Sequence, residues 1–105
     1  MSNKYVLVYR GGGMPEGEEA QRQVLAAWEA WFGRLGGALA DPGNPASRSR
    51  SIASDGSVSA EGRPTISGYS ILSAGTLDEA VELAKGCPVL TSGASIEVVE
   101  APDMM

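Results

Sequence analysis

Histidine is absent from this 105-residue chain, and cysteine occurs once, at Cys87. Without histidine, a Ser–His–Asp or Cys–His catalytic set is excluded. A zinc or other transition-metal site is not expected either, because imidazole and thiolate are its usual ligands. One thiol cannot form an internal disulfide, so nothing in the cysteine count marks an oxidising compartment. Positive charge is also scarce. Eight basic residues face 13 acidic ones, for a net charge of −5. Such a surface repels phosphate backbones, and no nucleic-acid partner is expected. Long apolar runs are missing. Tyr5 to Tyr9 is too short for a signal-peptide core or a membrane span, so no membrane association is expected and the cytoplasm is the simplest location.

What remains is ordinary globular material. Hydrophobic residues make up 43% and charged residues 20%, so disorder is not the default. The length suits one domain over residues 1–105.

Tyr5-Val6-Leu7-Val8-Tyr9 is β-branched, aromatic and apolar, which predicts a strand. Alternation puts Tyr5, Leu7 and Tyr9 on one face and Val6 and Val8 on the other. Both faces are apolar, so the strand is read as central. Gly11-Gly12-Gly13 ends it, and Pro15 opens a helix whose first turn carries Glu16, Glu18 and Glu19 near the positive end of the dipole. Val24, Trp28, Trp31 and Leu35 form its apolar stripe, and Gly36-Gly37 closes it. Asp41 to Ser51 reads as a loop leading into a strand near Arg48–Ser54. Asp55-Gly56 is a hairpin turn. The partner strand, interrupted by Gly62 and Pro64, resumes at Thr65 and runs to Ser73. Thr76-Leu77-Asp78-Glu79 is a capping box. It opens a helix with Leu77, Ala80, Val81 and Ala84 on its apolar face. Gly86 and Pro88 stop that helix. A last strand covers Ser95 to Glu100. The order β-α-β-β-α-β is that of an α+β, ferredoxin-like protomer with an antiparallel sheet.

Two helices cover one face of a four-stranded sheet, yet the first strand is apolar on both. A wet face must be polar, so a cover is required. A second copy packed sheet against sheet supplies one, giving a homodimer. The alternative is a monomer whose Asp41–Ser51 loop folds over the sheet.

The blocks Gly68-Tyr69-Ser70-Ile71, Leu77-Asp78-Glu79-Ala80, Ala84-Lys85-Gly86-Cys87-Pro88 and Ile96-Glu97-Val98 resemble the YCII-related family, which includes the DGPF-domain proteins. The Lys4–Tyr9 strand and the Trp28/Trp31 helix fit the same pattern, so the resemblance spans residues 4–100. It implies a dimeric α+β barrel of ferredoxin-like protomers. The family's function is mostly unknown, and some members carry a proposed His–Asp pair. That pair cannot exist without histidine. The DGPF positions read Gly56-Ser57-Val58-Ser59 here, although Glu61 and Arg63 match the acidic and basic residues that follow the motif.

Several residues invite a chemical role and have a plainer one. Asp55 could serve as a base if buried, but turn chemistry accounts for it. The Gly11–Gly13 run invites a phosphate loop, yet position 16 holds a glutamate where the third glycine belongs. Arg48 and Arg50 alternate on one face and could hold a carboxylate or phosphate; surface ion pairs explain them as well. Trp28 and Trp31 could line a pocket or pack the core. Tyr9 and Tyr69 could offer hydroxyls to it or rim the core. Cys87, at a helix C-terminus, reads as an inert thiol.

No catalytic residues and no cofactor are expected on these grounds. The leading expectation is a homodimer that binds a small organic ligand, an anionic one being among the options, between the first helix and the sheet, with Arg10, Trp28, Arg50 and Tyr69 near the cleft. The alternatives are a cofactor-free enzyme of monooxygenase, lyase or isomerase type, by fold analogy, and a pure interaction module.

Overall fold

The computed structural model describes residues 3–102. Of the single domain read over residues 1–105, positions 1–2 and 103–105 lie outside that range. The chain forms β1 (Asn3–Arg10), α1 (Glu18–Leu35), β2 (Leu39–Asp41), β3 (Gly68–Ala74), α2 (Leu77–Ala84) and β4 (Ser95–Ala101). Short 3₁₀ turns at Gly36–Ala38 and Pro88–Ser92 link α1 to β2 and α2 to β4. The strands form one antiparallel sheet in the order β2-β3-β1-β4. This α+β arrangement is compatible with a ferredoxin-like fold.

β1 lies at the centre, as its composition requires. Tyr5, Leu7 and Tyr9 are buried, while Val6 and Val8 are only half-buried. β3 alternates in step: Gly68, Ser70, Leu72 and Ala74 are buried, and Tyr69, Ile71 and Ser73 are half-exposed. Both helices pack on the same face. Trp31 and Leu35 from α1 meet Leu7, Tyr9, Leu72, Ala84 and Cys87 in one cluster, and Ala80 from α2 joins Tyr5 and Ala74 in a second. Trp31 is 2% exposed, and its indole N–H donates to the Leu83 carbonyl at 3.2 Å. Gly86 lies flat against the Trp31 ring, where an added Cβ would stand 3.2 Å from two ring atoms. The glycine that stops α2 therefore also admits the tryptophan.

α2 starts as its sequence dictates. The Thr76 hydroxyl accepts from the Glu79 amide at 3.1 Å. The Glu79 carboxylate reaches back to the Gly75 amide at 3.2 Å, one residue before the cap position. α1 starts later than expected, at Glu18 rather than Pro15. The Pro15 carbonyl is instead occupied by the Gln21 side chain.

The largest correction concerns the second strand. The sheet strand is Leu39–Asp41, not Arg48–Ser54. The reason lies in side-chain burial. Leu39 reaches the core cluster and pairs with Leu72. The Ser-Arg-Ser-Arg-Ser run has no apolar face to bury. Residues 46–67 instead form a hairpin arm that leaves the sheet. The arm keeps the expected turn: Gly56 has φ +90°, and the Ser57 amide and hydroxyl both donate to Asp55 Oδ1. Its ladder is sparse, with isolated bridges at Ser49↔Gly62 and Ile52↔Val58.

The Asp41–Ser51 loop does not fold over the open sheet face. Pro42 accepts from Ser70 Oγ on the helix side, and Val6, Val8 and Ile71 stay half-exposed on the other. Gly43 makes the close pass possible. Its φ is +77°, and a Cβ there would collide with the Tyr69 carbonyl.

Candidate functional site

The end of the sheet where β1 gives way to the glycine run carries a cavity of about 460 Å³. Three segments build it. α1 supplies Val24, Leu25, Trp28 and Phe32; the Pro42–Pro45 loop forms a second wall; and Pro88, Val89, Thr91 and Ser92 form a third. Tyr9, Ser67, Gly68 and Ser70 lie along the sheet end, and Gly11–Met14 border the mouth. A cavity of this size matches a small organic molecule.

Its apolar side is an aromatic cluster. The Trp28 ring meets Tyr9 and Trp31 edge-on, at 5.7 and 5.8 Å between centroids, and Phe32 in a tilted arrangement at 5.6 Å. Edge-to-face packing of this kind adds to simple burial and holds the rings in fixed orientations.

Its polar side is a short hydroxyl chain. Tyr9 Oη donates to Ser70 Oγ at 2.7 Å, and Ser70 Oγ donates to the Pro42 carbonyl at 2.7 Å. Ser70 is fully buried, so both of its bonds are needed to offset desolvation. Burial drives the Tyr9 phenol well above its ordinary value of 10.0, against the smaller lowering effect of the Ser70 bond. Cys87 packs in the same cluster. Burial raises its thiol as well, and a bond from the Val89 backbone offsets only part of this. Both groups are therefore protonated at neutral pH. Among the described residues, none that lines the cavity is charged. Its hydrogen-bonding groups are hydroxyls, one carboxamide (Asn44) and backbone.

The expected site residues separate. Trp28 lines the cavity with its ring. Tyr69 borders it through the main chain, because Tyr69 pairs with Val8 and alternation sends its ring to the opposite face. Arg10 is not at the cleft. It follows the same parity as Val6 and Val8, on the far face, and its guanidinium binds Glu97 at 2.6 Å. Arg50 sits on the arm, where its Nε donates to the Ser59 carbonyl at 2.9 Å. Arg48 faces Glu61 at 3.5 Å. The two arginines thus fasten one strand of the arm to the other. Asp55 is exposed, and the Ser57 bonds hold its carboxyl below the ordinary 3.8, the wrong direction for a general base.

Ser70, Phe32 and Val89 went unnoticed in the sequence. Phe32 follows the Trp28 stripe by four residues, which is a usable helical signal. Ser70 has none, because its role depends on a partner 61 residues away.

No protein-family model matches the chain, and no curated protein is significantly similar to it. Among the described residues no group of three or more His, Cys, Asp or Glu side chains could hold a metal ion. None of the helices there is long and apolar enough to cross a membrane.

Proposed function

We propose that the protein is a homodimeric binder of a small organic molecule, of the YCII-related type and cytoplasmic. The ligand is largely apolar and uncharged, with one or two hydroxyl or carbonyl groups. The observation that carries this reading is the cavity itself: an aromatic wall, a buried Tyr9–Ser70 hydroxyl pair and an uncharged lining. An anionic ligand, the option raised by Arg48 and Arg50, would need a cation that the described lining does not contain; Arg10 and Arg50 are engaged elsewhere. Burying an unpaired carboxylate there would be costly.

Binding is favoured over catalysis because Tyr9, which lines the cavity, and Cys87, which packs beside it in the core cluster, are held protonated by burial. A base poised near neutral pH would be the mark of a proton-transfer enzyme. The dimer is supported by the half-exposed Val6, Val8 and Ile71 and the exposed Val99 on the sheet face away from the helices.

Tryptophan fluorescence tests the ligand class. Titration with naphthol, a neutral aromatic alcohol, is expected to change the emission saturably. Naphthoate, its anionic counterpart, is expected to bind at least about tenfold more weakly. Equal binding of the two, or no saturable response to naphthol, would sink the reading.

A further inference from the structure

Beyond its base at residues 46–49 and 64–67, the hairpin arm has no packing partner among the described residues. Every residue from 50 to 63 is exposed. Its tip carries Ile52 and Val58, 73% and 50% exposed, facing each other across a bridge. A two-stranded hairpin alone in water is marginal at best and needs a packing surface to persist. The dimensions of the whole molecule point the same way. Its radius of gyration is 15.4 Å, against about 13 Å for a compact domain of this length. It exposes 7193 Å², against about 5,500 Å² for a compact monomer of this mass. The excess is close to what one protomer buries in a stable, obligate dimer.

We propose that the arm is a clasp for a second copy of this chain, with Ile52 and Val58 buried against the partner. The proposal rests on the dimer reading above and adds the element that secures it. Three features select a second copy as the occupant. The first is area, since the unburied excess matches a dimer. The second is apolar complementarity. The open sheet face, with Val6, Val8, Ile71 and Val99, and the tip pair are both apolar surfaces left open to water, and a two-fold partner buries both on each protomer at once. The third is charge. Residues 46–67 hold three arginines and two acids, whereas the rest of the chain holds five basic and eleven acidic residues. A basic arm thus meets an acidic body, which steers association. Reach is sufficient. About eight residues per strand extend roughly 26 Å, well beyond the spacing of two stacked sheets.

Sedimentation equilibrium on the full chain tests the clasp, comparing wild type with the Ile52→Glu/Val58→Glu variant. Wild type is expected to be dimeric at micromolar concentration. The variant is expected to raise the dimer dissociation constant about a hundredfold, the loss that follows from denying burial to two branched apolar side chains. Circular dichroism should be unchanged, because neither residue touches the core. Hydrogen exchange on the wild-type chain supplies a measurement that needs no variant. Arm amides should be protected in the dimer and exchange freely once it is diluted apart. A dimer of unchanged constant in the variant, or freely exchanging arm amides in the wild-type dimer, would overturn the clasp and leave the dimer standing. A wild-type chain that stays monomeric would overturn both.

Discussion

The sheet centre and the hairpin arm are both built from extended chain, yet they are held by different forces. β1 and β3 pair along seven residues, from Asn3↔Ala74 to Tyr9↔Gly68, and one face is sealed by Trp31, Leu35 and Ala80. The arm has three arginines, six serines and a single apolar pair between residues 47 and 63. Its cross-links include backbone bonds at Ser49–Gly62, Ser51–Ser59 and Ala53–Ser57 and two arginine contacts, all at exposed side chains or loop backbone. Strand geometry alone therefore says little about stability. Apolar burial decides it, and between residues 50 and 63 the arm has none in the isolated protomer.

Substitutions should separate the two regions sharply. Trp31→Ala is expected to cost about 3–5 kcal/mol, a large part of the 5–15 kcal/mol typical of a domain. Urea denaturation would show it as a large drop in midpoint. A loss below about 1 kcal/mol would mean that α1 is not anchored where the structure places it. Ser70→Ala comes next, at about 1–3 kcal/mol. It leaves the buried Tyr9 hydroxyl without its acceptor and the partly buried Pro42 carbonyl without its donor. The same denaturation series reads it, and a neutral outcome would break the hydroxyl chain on which the ligand reading depends.

Alkaline pH should act on the centre and leave the arm indifferent. Tyr9 and Cys87 are kept protonated by burial, with ordinary values of 10.0 and 9.0. The unfolded chain gives up these protons first. The stability they contribute is therefore complete below pH 9 and declines as pH rises past it. Thermal melts from pH 7 to pH 11 should show the decline starting near pH 9, and Tyr9→Phe should flatten part of it. A flat wild-type profile would contradict the burial of both groups. The smallest effect belongs to the arm. Ile52→Ser, measured on dissociated chains at high dilution, should change stability by no more than about 0.5 kcal/mol. A larger loss would show that the tip packs within its own protomer.

The centre was legible in the sequence because its signals are local. Five apolar residues in a row mark β1, the four-three-four spacing of Val24, Trp28, Trp31 and Leu35 marks α1, and Thr76 with Glu79 marks the start of α2. β2 was not legible. Leu39-Ala40-Asp41 is too short to alternate, and it joins the sheet because Leu39 meets Leu72 across 33 positions of chain. The turn at Asp55-Gly56 was correct, but a turn signal does not say whether the strands it joins will find a core. The cavity was half visible for the same reason. Trp28 announced itself through helical spacing. Tyr69 looked equivalent to Tyr9, and only the register of β3 on β1 shows that their rings point to opposite faces. Arg10 stands out in the sequence as a charge at a strand end, and Arg50 as an arginine that alternates with Arg48 on one face. Their partners, Glu97 and the Ser59 carbonyl, are set by pairing that no local pattern reveals.

The uncharged aromatic cavity is the centre of this account, and a crystal structure of the protein soaked with naphthol tests it most directly. The expected result is density for the ring system beside Trp28 and Phe32, with the naphthol hydroxyl within hydrogen-bond distance of the Tyr9–Ser70 pair. Trp28 collapsed onto Tyr9 with the space closed, or naphthol bound anywhere else on the molecule, would contradict it.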